Sequence, residues 1–312
     1  MPKFSVIMNC LNGERFLREA IKSVFDQSLD DWELIFFDSG STDKSVDIAT
    51  SFGEKVKIYV LNKPIPLGEA RQQAIDRASG DLLAFLDVDD VWLPSKLEIQ
   101  YLAMASGEYT ICYSAAQCID ENGIDLHKIF PIHDSGPLFE NLLRHVEGCW
   151  CTYVINRKIL LNKGIKFNPL LRSSCEEDLV LSLLACDGTG VVISSILAKY
   201  RIVSGSVTSF YSDRLASERF STINRLIREN PGIRSKYSEA FDEAEARGFY
   251  YNACHLLNTG NYNQASKAIS NALLLNSKYK IFKYLIKFPA LWRLIHRFKG
   301  HLAPAFLNYL YH

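Results

Sequence analysis

Three carboxylates crowd the stretch Asp87-Val88-Asp89-Asp90, directly behind the apolar run LLAFL (82–86). A run of that length reads as a buried strand, and the carboxyl end of a parallel strand is where open α/β sheets bind their ligands. Closely spaced oxygen donors there suit Mg2+ or Mn2+ bridging phosphates. The alternative is an acidic turn that caps the helix starting near Pro94. A second such place is FFDSGSTD (36–43), where an apolar strand runs into Asp38, Gly40 and a helix start at Ser41 or Thr42. An acid at a strand end accepts hydrogen bonds from a nucleobase or ribose, and Gly40 lets the backbone turn tightly. The plainer reading is a loop plus an N-cap. A third cluster, Glu176-Glu177-Asp178, precedes the apolar LVLSLLA, and acidic residues favour the first turn of any helix.

The elements that must hold these residues follow from periodicity. FSVIM (4–8), ELIFF (33–37), KIYVL (57–61) and LLAFL alternate with helix-like 14–27, a helix beginning near Thr42, and helix-like 68–79 and 94–105. Short strands apolar on both faces and separated by helices predict a mostly parallel sheet covered on both sides, a Rossmann-like α/β domain. From 116 to 210 the pattern is less regular, with turn-rich ENGID (121–125) and an apolar strand VVISSIL (191–197) that would complete the sheet. After Ser212 the reading is almost wholly helical, a C-terminal α-helical extension over 211–312. Within it, 246–277 follows the spacing of one tetratricopeptide-like hairpin. The tail, 279–312, sets Lys280, Lys283 and Lys287 opposite Ile281, Leu285, Phe288, Trp292 and Ile295, with a kink expected at Pro289.

Composition narrows the class. The chain has 312 residues, 48% hydrophobic and 22% charged, which excludes disorder, collagen and coiled coil as whole-chain readings. Its zero formal net charge hides a segregation: from Ala246 onward there are nine basic residues and no Asp or Glu. Such a tail suits an anionic partner, a lipid surface in preference to nucleic acid, for which no module is recognisable; a solvated helical face is the equal alternative. Eight scattered cysteines without metal or disulfide spacing read as reduced thiols of a cytosolic protein. No leader pattern opens the sequence, and no stretch is apolar enough to span a bilayer. P-loop, dinucleotide-binding, zincin and serine-hydrolase signatures are absent.

Taken in order, FSVIMNCLNGERFLREAIKSVFDQS (4–28), WELIFFDSGSTD (32–43), LGEARQQA (67–74) and FLDVDDVWLPSKLEIQ (85–100) resemble family 2 glycosyltransferases of the GT-A fold. The likeness is strong to Gln100 and weaker to about residue 210, which gives a transferase domain over 1–210. It implies a nucleotide-sugar donor, most simply a UDP-sugar, a Mn2+ or Mg2+ ion, and inversion at the anomeric carbon. The acceptor class implied is a glycan or lipid-linked glycan of the bacterial surface, with the basic tail keeping the enzyme at the inner face of the plasma membrane.

Carried over residue by residue, the resemblance places Asn9, Leu11 and Asn12 in the first nucleotide-binding loop, where Leu11 replaces the usual aromatic. Asp38 would read the uracil, Ser39 stands where many relatives have a second Asp, and Arg71 lies near the nucleotide. Asp87-Val88-Asp89 would be the DxD motif, with Asp87 directed at ribose or metal and Asp89 at the metal. Glu176 aligns with the catalytic base, Glu177 or Asp178 taking that place if the register shifts. Tyr200, Arg201 and Ser206 match a segment near the diphosphate, where Val203 replaces a histidine. A binding or scaffold protein that has lost activity is the competing reading, and a nucleotidyltransferase ranks behind it because the first loop carries only Arg15 as a base.

Overall fold

Along β1 (Phe4–Cys10) every residue but Asn9 is buried, as expected of a strand with parallel neighbours on both edges and packing on both faces. A computed structural model describes residues 1–130, 132–145, 148–185, 187–203, 213–288 and 291–292. The chain falls into two compact units, Met1–Ser206 and Val207–His312.

The first unit alternates β1, α1 (Glu14–Phe25), β2 (Trp32–Asp38), α2 (Ser45–Thr50), β3 (Val56–Val60), α3 (Leu67–Ile75), β4 (Leu82–Phe85), β5 (Val91–Trp92) and α4 (Lys96–Ala105). It continues with β6 (Ile111–Ile119), β7 (Asp125–Phe130), α5 (Phe139–Arg144), β8 (Val154–Asn156), α6 (Arg157–Asn162), α7 (Cys175–Ala185) and β9 (Gly190–Arg201). The sheet order is β3-β2-β1-β4-β8-β6-β9-β5, with β7 paired to β6. The first four strands are parallel, and β8 enters antiparallel between β4 and β6. The second half thus completes the same sheet, as its late apolar strand suggested. The three-residue β8 is too short to leave a periodic signal.

Period-two alternation sorts the side chains onto two faces. Phe4, Val6, Met8, Leu34 and Phe36 pack with Leu17, Ile21 and Val24 of α1 and Leu97 of α4. Ile7, Ile35, Phe37 and Phe85 point the other way, where Arg77, just beyond α3, lies over the Phe37 ring. Each fully buried large side chain contributes about 1.5–3 kcal/mol. Glu33 is a buried acid on this second face, and its carboxylate is answered by donors. Ser5 Oγ (2.5 Å), Ser79 N (2.7 Å), Ser79 Oγ (2.8 Å) and the Lys57 ammonium donate to it. These bonds hold its carboxyl down at about 2 against the opposing effect of burial.

The second unit contains α8 (Leu215–Glu229), α9 (Ile233–Lys236), α10 (Ser238–Asn258), α11 (Tyr262–Leu275) and α12 (Lys280–Leu285). Ala253, Ala265, Ala268 and Ile269 let α10 and α11 pack closely, and Phe282, Ile286 and Trp292 join the same cluster around Tyr250. Trp292 is therefore buried in the unit's own core, and so is not available to an apolar face opposite the lysines. Lys280, Lys283 and Lys287 are exposed beside Tyr284 and Phe288. Pro289, Ile295 and the remaining basic residues of the tail lie outside the described residues.

Candidate active site

The carboxyl ends of β1, β2 and β4 carry the polar residues singled out above. Asp38, the last residue of β2, is fully buried. Its Oδ1 accepts from the backbone N–H groups of Gly40 (3.0 Å) and Ser41 (2.8 Å). Its Oδ2 has no partner among the described residues, and neither do the buried Asn9 Nδ2 and Ser39 Oγ. Three orphaned polar atoms at one end of two paired strands are costly unless a ligand answers them. Gly40 makes the turn with φ +80°, and a Cβ there would sit 2.9 Å from the Lys63 backbone.

Asn12 ties its loop to the next one. Its Oδ1 accepts from Thr42 N (2.8 Å), and its own N–H donates to Ser41 Oγ (2.8 Å). Gly13 N donates to Ser45 Oγ, Glu14 N to Asp43, and Lys44 N back to Glu14. The loops after β1 and β2 are thus cross-tied, with Asn12 at φ +56° as one of the ties. These bonds also delay α2 to Ser45, three residues beyond the expected start, because Asp43 is already committed to Ser45 and Glu14. Leu11 projects from the same loop, about half exposed.

Behind β4, the acidic run splits into distinct roles. Asp87 and Asp89 are partly exposed, and burial together with the Asp87 charge pushes Asp89 up to about 6. Val88 packs against the β1 loop, where Gly13 leaves only 2.9 Å for a Cβ. Asp90 is buried, and its Oδ1 accepts from Arg201 N (2.9 Å). Trp92 and the buried Lys96 fix the following helix. The Trp92 indole donates to Cys151 O, and the Lys96 ammonium lies over the Trp92 ring and bonds Gln100.

Arg71 joins two ends of the site that lie far apart in sequence. Buried on α3, it donates to Asp87 Oδ1 (3.1 Å) and Cys175 Sγ (3.5 Å), pairs with Glu176, and sits over the Trp150 ring. Among the three acids opening α7, Glu176 faces this guanidinium while Asp178 is buried. Trp150 stacks on Tyr153 and packs at a tilt against Phe85, a partly buried platform beneath Arg71. Sequence reasoning missed Cys175, whose only signal was its place next to Glu176.

Arg201 departs most from its expected role. Rather than facing a diphosphate, its guanidinium bonds Glu19 (2.6 Å) and the carbonyls of Asp89 (2.8 Å), Asp120 and Glu121. Tyr200 packs edge-on against Phe130, and Ser206 lies outside the described residues.

Residues 5–164 match the model of Glycosyl transferase family 2. The chain belongs to that family. As a family 2 glycosyltransferase it is 30% identical over 211 residues to TuaG of Bacillus subtilis, named as a candidate teichuronic acid biosynthesis glycosyltransferase. That match covers 67% of this chain and 82% of TuaG. It is also 30% identical over 209 residues to Escherichia coli WfgD, named as a UDP-Glc:alpha-D-GlcNAc-diphosphoundecaprenol beta-1,3-glucosyltransferase, covering 66% and 79% of the two chains. In fold it matches the crystal structure of residues 1–349 of Staphylococcus aureus TarS in complex with UDP-GlcNAc. The TM-score is 0.72 at 16% identity, over 96% of this chain and 92% of that one. The GT-A architecture expected from the sequence is therefore the one observed.

The donor set at the acidic loop fits a hard divalent ion. Asp87 and Asp89 offer carboxylate oxygens, and among the described residues no His, Cys, Asp or Glu joins them in a ligand cluster of three. A Mg2+ or Mn2+ ion held there would complete its shell with water and substrate phosphate oxygens, the usual arrangement for such ions. The cluster of three that does occur, Asp90 with Cys149 and Cys151, is buried and hydrogen-bonded within itself and to β9.

Proposed function

We propose that this glycosyltransferase moves a sugar, with inversion, from a UDP-sugar to a hydroxyl of a lipid-linked glycan in bacterial cell-surface polysaccharide synthesis. The observation that carries the donor assignment is the orphaned trio at β1 and β2. Uracil presents an N–H between two carbonyls. One free carboxylate oxygen on Asp38 answers the N–H, and the Asn9 amide nitrogen answers a carbonyl. Guanine presents two adjacent N–H groups, which call for both carboxylate oxygens, and Asp38 Oδ1 is already spent on Gly40 and Ser41. Thymine shares the uracil edge, so dTDP-sugars are the comparison.

Asp87 and Asp89 would hold a divalent ion, which when bound would supply positive charge near the diphosphate. Arg71, already between Asp87 and Glu176, adds a second positive group at that end of the site. Glu176 is the base. The acceptor oxygen attacks the anomeric carbon from the side opposite the diphosphate, its proton passes to a Glu176 carboxylate oxygen, and the bond from carbon to diphosphate oxygen breaks. Pairing with Arg71 orients the Glu176 carboxylate at this end of the site. The acceptor class rests on the names of the two relatives and on the tail, which has no acidic residue after Glu245. An anionic membrane surface attracts such a tail and keeps lipid-linked acceptors within reach.

The test is release of nucleoside diphosphate from UDP-, dTDP- and GDP-sugars with Mn2+, Mg2+ or EDTA, paired with calorimetric binding of UDP and GDP. Metal-dependent turnover of a UDP-sugar that is lost in Asp89→Ala is expected. Tighter binding of GDP than UDP, or no binding of either with metal present, refutes the assignment.

A further inference from the structure

Arg201 terminates β9, 111 residues beyond the acidic loop, yet it holds that loop at two successive residues. Its backbone N–H donates to Asp90 Oδ1 (2.9 Å), and its Nε donates to the carbonyl oxygen of Asp89 (2.8 Å). The other two guanidinium nitrogens reach Glu19 on α1 (2.6 Å) and the carbonyls of Asp120 and Glu121 in the turn after β6. The Phe16 ring covers the guanidinium plane at 4.6 Å, and only 2% of the side chain is exposed. All three nitrogens are engaged, the charge is matched by Glu19, and one face is closed by an aromatic ring.

We infer that Arg201 is a positioning residue. It fixes the backbone of the acidic loop from beneath so that Asp87 and Asp89 are held ready for a divalent ion, and it does not itself touch the diphosphate. The inference rests on the metal role proposed for Asp87 and Asp89. Groups that orient metal ligands without binding the metal typically govern affinity by about 10- to 100-fold. A lysine cannot replace Arg201, because one ammonium lacks the planar fork that spans a carboxylate and three carbonyls. Glu19 extends the chain of support: it sits on α1, is 56% exposed, and orients the guanidinium from the far side.

The experiment measures UDP binding by calorimetry, with saturating Mn2+ and again in EDTA, for wild type, Arg201→Lys, Glu19→Gln and Asp89→Ala. The readout is the gain in UDP affinity that Mn2+ confers. In Arg201→Lys that gain should fall about 10-fold or more, while affinity in EDTA stays within about twofold because the nucleotide contacts are untouched. Glu19→Gln should lose part of the gain in the same direction. This exposed substitution carries the test if Arg201→Lys fails to fold. An unchanged Mn2+ gain in a folded Arg201→Lys, or in Glu19→Gln, overturns the inference. So does an Arg201→Lys that loses UDP affinity equally in EDTA, which would mean a direct phosphate contact. Asp89→Ala separates the two levels: if it keeps the Mn2+ gain, the metal reading itself falls and takes this inference with it.

Discussion

Replacing Asp38 by Asn tests the base-reading site with little disturbance of the fold. The Asn carbonyl oxygen can keep both backbone bonds that Oδ1 now accepts from Gly40 and Ser41, so the turn survives. The other oxygen, buried and without a partner, becomes an amide donor. In the free protein this removes a desolvated charge, and thermal stability should hold or rise. With UDP bound, a charge-assisted hydrogen bond worth about 1.5–3 kcal/mol is lost, and two N–H groups face each other at a further cost of about 1–3 kcal/mol. A loss of about 3–4 kcal/mol corresponds to roughly 100- to 1000-fold weaker UDP binding, since each 1.4 kcal/mol is tenfold. Cytosine offers an acceptor nitrogen where uracil has its N–H, so CDP should lose far less. Calorimetry with UDP and CDP in EDTA isolates the base from any metal effect. UDP affinity within about threefold of wild type, or equal losses for UDP and CDP, would refute the reasoning.

Three further predictions address the rest of the molecule. Glu176→Gln should lower kcat by about 10²–10⁴ while UDP affinity is kept, and Glu177→Gln should cost much less; equal losses in initial-rate assays would move the base elsewhere. Glu33, held at about 2 against an ordinary 4.5, contributes stability that is complete above about pH 4.5 and lost as pH falls through about 2. Glu33→Gln should therefore unfold about 2 kcal/mol more easily in urea at pH 7, with the difference shrinking toward pH 3; a gap independent of pH would exclude this origin. Changing Lys280, Lys283 and Lys287 to Gln should weaken binding to anionic liposomes by about 1 kcal/mol per charge near the surface and leave the helical core intact. Deleting 279–312 is the poorer test, since it removes Phe282 and Trp292 from that core; unchanged liposome binding by the triple variant would end the membrane proposal.

The sequence by itself determined what depends on neighbours a few residues apart. Buried strands announce themselves by unbroken apolar runs, and so β1 to β4 and the acidic residues at their carboxyl ends were legible, as were the family and its fold. The structure then separated residues that the sequence treats alike. Asp87 and Asp89 stay partly exposed while Asp90, next in line, is buried and accepts from the backbone N–H of Arg201. Glu176 is paired with Arg71, a residue 105 positions away, brought to it by the packing of α3 near α7, while Asp178 is buried. Arg201 is occupied by Glu19, Asp89 and Asp120, from three separate parts of the first unit. Trp292 likewise faces Tyr250 and Phe282 instead of solvent. Helical and strand periods record which face of an element is buried, but the partner that covers a side chain is set by sheet order and crossover geometry. Those are decided only when the whole core packs.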